Sequence, residues 1–151
     1  MLLRRLRVFG GLVWLGMILG VSFVATPLKF QASSVTLAIG LDIGRLVFGV
    51  FNKIEIGLAA MMALLVLLSR QRDKSVMALG VVWLALAVQT IWLLPDLMGR
   101  IQMIIQDQQP PPSALHSIYV GFEVVKALAL AVYGFGNTYH STVPGTKVYC
   151  C

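Results

Sequence analysis

His116, Tyr119, Glu123 and Lys126 are spaced three, four and three residues apart, a rhythm that gathers them within an arc of about 80° on one side of an α-helix. An imidazole, a phenol, a carboxylate and an ammonium on one stripe can take up protons or bind a cationic solute. Arg45, Asn52 and Glu55 repeat the pattern upstream, again within about 80°. Glu123 and Lys126, one turn apart, can neutralise each other. Glu55 could share Lys126 or accept from Tyr119 if the two stripes face one another. Lys53 is rotated by about 80° to 100° from Asn52 and Glu55, so it is expected to snorkel or to meet another helix.

The elements that must carry these stripes are long and apolar. Val8 to Leu28 and Ser75 to Pro95 hold no charged residue, while about Arg45 to Leu68 and Ser113 to Phe135 enclose the polar groups named above. Each stretch is long enough to cross a bilayer, and an ionisable group inside one costs several kcal/mol unless it is paired. Only 12% of the 151 residues are charged and 58% are apolar, against about a quarter charged in a soluble domain. The fold expected is an all-α, four-span transmembrane bundle over residues 1–135, with a cytoplasmic tail at 136–151.

Charge placement sets the expected orientation. Arg4, Arg5 and Arg7 precede the first span, and Arg70, Arg72 and Lys74 fill the turn between the second and third. The other links hold only Lys29, Arg45 and Arg100, so the positive-inside rule puts both termini in the cytoplasm of a cell membrane. The first apolar run is too long for a signal peptide, and Phe23-Val24-Ala25 lacks a small-x-small cleavage pattern. The net charge of +6 belongs to this topology rather than to nucleic acid, because no basic stripe forms.

The external links run from Pro27 to Gly44 and from Asp96 to Pro112. Ile101, Ile104 and Ile105 recur at helical spacing against Gln102, Gln106 and Asp107, which predicts a short amphipathic helix at the interface, ended by Pro110, Pro111 and Pro112. Val35 to Gly44 extends the second span outward as helix. Gly16 and Gly20 form a small-xxx-small pair expected to pack the first span within the monomer. Trp14, Trp83 and Trp92 include expected interface anchors.

Cofactor and catalytic chemistry find no support in the motifs. His116 and His140 would stand about 36 Å apart on a helix and cannot share one haem. Cys150 and Cys151 are adjacent and lack zinc or redox spacing; a terminal Cys-Cys can be a lipidation signal, but free thiols are expected. No Gly-rich phosphate loop is present. No cofactor, no metal and no enzymatic activity are expected, and the lipid bilayer is the first partner, with a membrane-protein partner or a second copy beside it.

The run Phe23-Val24-Ala25-Thr26-Pro27-Leu28-Lys29-Phe30, then Gly44-Arg45 leading to Phe48 and Phe51, then Leu115-His116 with Glu123 seven later, resembles the transmembrane protein 205-like family and its bacterial relatives. The resemblance covers about Leu15 to Leu130 and implies a four-span protein of undefined biochemistry, with an inner-face polar set on the last span. Members of that family usually place a small hydroxyl residue and an asparagine after the histidine. Tyr119 and Glu123 stand there in this chain, which makes the site more acidic.

Two functions follow from the stripes. In one, Asn52, Glu55, His116, Tyr119, Glu123 and Lys126 line a water-accessible cavity for transport of a small solute or proton. In the other, the protein is an accessory subunit whose polar stripe docks another membrane protein. A structural clasp that merely fixes helix register is the plainest use of the same residues.

Overall fold

The computed structural model describes residues 2–69 and 75–142. Four helices account for almost all of them, and no strand occurs among the described residues. We number them α1 (Leu2–Gln31), α2 (Leu37–Ser69), α3 (Val76–Ile105) and α4 (Leu115–Thr142). All four are long and apolar enough to cross a membrane, so the chain is a multi-pass membrane protein of the all-α class. The basic turn at 70–74, with Arg70, Arg72 and Lys74, lies outside the described residues, as do Cys150 and Cys151.

The helices form a ring in which α1 packs on α2 and α4, and α3 on α4 and α2. One end of the bundle carries the links at 32–36 and 106–114; we call it the linker end. The N-terminus lies at the opposite, terminal end. There Arg4 donates to the Asn137 carbonyl at 2.8 Å, which ties α1 to α4.

Neither α1 nor α3 is regular throughout. Leu19–Ala25 and Gln89–Leu93 are π-helical turns, and each is followed two residues later by a proline, Pro27 or Pro95. A proline cannot donate to the carbonyl four residues back, and its ring crowds that carbonyl. Here those carbonyls belong to Phe23 and Ile91, inside the π turns. Widening the turn by one residue relieves the crowding without ending the helix. The Thr26 hydroxyl then donates to the Val21 carbonyl at 2.8 Å, satisfying an acceptor in the altered register.

This continuity changes two expectations about boundaries. The amphipathic segment around Ile101 does not lie apart at the interface: it is the end of α3, with Leu97 and Ile101 buried. Pro95 sits in its first turn, where a missing N–H is tolerated. The helix ends at a left-handed Asp107, φ 58°, with Gln108 N–H donating back to Met103 at 2.9 Å, a Schellman closure. Likewise α4 passes the expected boundary at Phe135 and runs to Thr142.

Close packing falls on other glycines than expected. Gly16 and Gly20 are exposed and a Cβ on either would meet nothing within 4 Å. The inward face of α1 is instead set by Gly11, Trp14 and Ile18, all buried, and Gly16 is rotated about 200° from Trp14. A Cβ at Gly11 would lie 2.9 Å from the Tyr133 ring, and one at Gly134 2.6 Å from Leu12, so α1 and α4 interdigitate at both positions. Gly11→Val is expected to destabilise the bundle by about 1–3 kcal/mol, whereas Gly16→Val has little effect. Denaturation of the detergent-solubilised protein measures both, and equal losses would contradict this packing.

Candidate intramembrane polar site

Glu55, Glu123 and Lys126 meet in the middle of the bundle, and none has more than a trace of exposed surface. The Lys126 ammonium lies 2.6 and 2.8 Å from the two Glu55 oxygens and 2.9 Å from Glu123 Oε1. The 3-4-3 spacing on α4 does aim Glu123 and Lys126 inward, and α2 delivers Glu55 to them. The expected sharing of Lys126 by Glu55 therefore holds.

Every helix contributes to this set. Trp14 Nε1 of α1 donates to Glu55 Oε1 at 2.9 Å. Gln89 Nε2 of α3 donates to Glu123 Oε1 at 2.9 Å, and the Ser22 hydroxyl of α1 donates to Glu123 Oε2 at 3.1 Å. Ser22 and Gln89 both sit in the π turns. The two irregular turns thus present the side chains that hold Glu123, in keeping with the frequent placement of π turns at functional sites.

The other expected site residues separate. Asn52 is buried but donates to Thr90 of α3 at 2.8 Å, away from the ion set. Tyr119 does not reach Glu55. Its ring packs edge-on against Phe48 with centroids 5.3 Å apart, and its hydroxyl is buried with no hydrogen-bond partner among the described residues. His116 is exposed at the linker end. Arg45 pairs with Asp42 at 2.7 Å instead of joining the stripe. Trp14, one of three tryptophans among which interface anchors are expected, is fully buried and donates to a carboxylate.

A cavity of about 290 Å³ connects two of these residues, His116 and Tyr119, to the ion set. Ser22, Thr26, Phe48, His116, Tyr119, Val120 and Glu123 line it, so Glu123 is the carboxylate that borders it. Below the set the bundle is closed by apolar side chains, among them Ile18, Met62, Leu79, Val82 and Leu130, all with no exposed surface. Leu130 interrupts the polar stripe of α4 one turn beyond Lys126. The site is a blind vestibule with its floor at Glu123.

Charge is unbalanced at that floor, since two carboxylates share one ammonium. Glu55 accepts from Lys126 through both oxygens and from Trp14, so its needs are met. Glu123 Oε2 accepts from the Ser22 hydroxyl and has no ion pair of its own among the described residues. An unpaired buried charge is costly, and a proton or a small cation at Glu123 would balance the set. Among the described residues no group of three His, Cys, Asp or Glu side chains gathers to hold a metal ion.

Sequence spacing does not reveal Trp14, Ser22, Gln89 or Thr90 as part of the polar interior. The available signal is local: Ser22, Gln89 and Thr90 are polar residues in otherwise uncharged spans, each shortly before a proline. The fold and site define a multi-pass membrane protein with an ion set inside its bundle. No protein-family model, curated protein or solved structure matches the chain.

Proposed function

We propose that this protein is a non-catalytic membrane protein that takes up a proton at Glu123 from the vestibule and passes it on when the apolar floor opens. The observation that carries the reading is the excess carboxylate: Glu123 lines the cavity while sharing its Lys126 partner with Glu55. Balance by a proton needs no further ligands, and His116 and Tyr119 lie between the linker end and Glu123 on one face of α4. The positive-inside rule makes the linker end external and the location a cell membrane. The same class is implied by the resemblance to the transmembrane protein 205-like family.

Reconstitution into liposomes with an internal pH-sensitive dye tests this. Under an imposed potassium diffusion potential the protein is expected to accelerate proton entry, and Glu123→Gln to remove the acceleration while the protein stays folded. Proton entry no faster than in protein-free liposomes, or undiminished in folded Glu123→Gln, would end the proposal.

A partner-docking role has one observation in its favour, and it lies on another face. The stripe of α4 is covered by the chain itself, so it offers nothing to a partner helix. Lys53, however, is exposed midway along α2, with Gly49 and Gly57 one turn either side and nothing within 4 Å of their Cβ positions. A partner helix carrying a carboxylate would fit that face, by close approach and charge pairing.

A further inference from the structure

The linker end holds a second cavity, of about 340 Å³, near the lower bound of about 300–1,000 Å³ for small-molecule sites. Its walls are mainly apolar, with Phe30, Phe48, Leu97, Ile101 and Ile104 among them, yet Lys29, Arg100 and His116 also line it. A lysine, an arginine and an imidazole around an apolar hollow are an unusual combination. Their partners explain why it matters.

The Lys29 ammonium lies 5.0 Å from the centroid of the Phe30 ring and 5.8 Å from that of Phe48. It has no ion pair among the described residues, whose pairs are Arg45–Asp42, Lys126–Glu55 and Lys126–Glu123. Aromatic faces attract a cation but do not neutralise it. Arg100 likewise lacks a carboxylate and donates to the Pro111 carbonyl. The neighbouring Arg45 is already satisfied by Asp42 and reaches Gln102 at 3.3 Å. Positive charge at this cavity is therefore left over, in the part of the molecule where lipid headgroups lie.

The backbone is shaped to seat these side chains. A Cβ at Gly40 would collide with the Phe30 ring and one at Gly44 with the Lys29 ammonium. Glycine at position 40 lets the Phe30 ring lie against α2, while at Gly44 only the mobile end of Lys29 occupies the space of a Cβ. Pro110 and Pro111 of the second link form part of the opposite wall, so the hollow is enclosed from two sides.

We infer that this cavity binds an anionic amphiphile, a single negatively charged headgroup held by Lys29 and Arg100 with its alkyl chain along the apolar wall. A free fatty acid and an anionic phospholipid share that chemistry. The inference is independent of proton uptake at Glu123, although Phe30, Phe48 and His116 line both cavities.

Native mass spectrometry of the purified, delipidated protein in detergent is the test, with oleate, phosphatidylglycerol, oleyl alcohol, phosphatidylcholine and inorganic phosphate as probes. One molecule of oleate or of phosphatidylglycerol is expected to bind, and whichever binds more tightly names the source. Affinity should fall at least tenfold in Lys29→Gln and in Arg100→Gln, and stay unchanged in Lys53→Gln and Glu123→Gln. If Lys29→Gln does not fold, Arg100→Gln decides. Binding of oleyl alcohol or phosphatidylcholine as tight as that of the anions, phosphate binding as tight as oleate, or full affinity in a folded Arg100→Gln would each overturn the assignment.

Discussion

Lys126→Met is expected to cost about 3–5 kcal/mol or to prevent folding, because it strands carboxylates that have no other ion pair among the described residues. Lys126 is the shared partner of Glu55 and Glu123, and all three are buried inside the bundle. Charge counting then fixes the sign of the companion variants. Glu123→Gln leaves one carboxylate facing one ammonium, keeps an acceptor for Ser22, and should be neutral or stabilising. Lys126→Met combined with Glu123→Gln and Glu55→Gln removes all three charges and should recover most of the loss, since replacing a buried ion set by neutral groups is often harmless. Unfolding of each variant in detergent gives the comparison. Losses that simply add across the set, or a Glu123→Gln that destabilises as much as Lys126→Met, would show that the excess charge does not govern this site.

How much of this could be read from the chain depends on the range of the signal. Spans are legible because lipid solubility needs about twenty consecutive apolar residues, and Val8 to Leu28 and Ser75 to Pro95 state that plainly. The inward face of α4 is legible too, because 3-4-3 spacing is a property of one helix: Glu123 and Lys126 lie where it points. Partner choice across helices is a different matter. Asn52 and Glu55 share a face of α2, yet Asn52 meets Thr90 and Glu55 meets Lys126, a distinction set by how α3 and α4 flank that face.

The π turns mark a second limit. Straight-helix phase arithmetic misplaces residues after a one-residue widening, and both Ser22 and Gln89 owe their aim to such turns. A proline within a span is the visible cue, yet it predicts a kink as readily as a wide turn. Gly16 and Gly20 show the reverse error: a small-xxx-small pattern carries no information about which side faces the bundle. Burial of Arg7, Trp14 and Ile18 settles the face, and the glycines fall on the other one.

A cysteine at Ser22 or His116 should react rapidly with a membrane-impermeant thiol reagent supplied at the linker end, while cysteines at Asn52, Leu128 and Leu130 stay inert. The native Cys150 and Cys151 are first replaced by serine. Ser22 and His116 line the vestibule, and Ser22→Cys alters little else because the two side chains are nearly the same size. Asn52 is buried against Thr90, Leu128 is exposed on the face of α4 turned about 180° from Tyr119, and Leu130 lies in the closed apolar floor. Water must reach Ser22 for its thiol to ionise and react, so the rates should differ by orders of magnitude. The same reagent supplied at the terminal end should reach none of the five. Reaction at Leu130 as fast as at Ser22 would mean a continuous pore in place of a blind vestibule. An inert Ser22→Cys in folded protein would mean that Glu123 is sealed from both sides, leaving the ion set as a clasp that only fixes the register of α2 against α4.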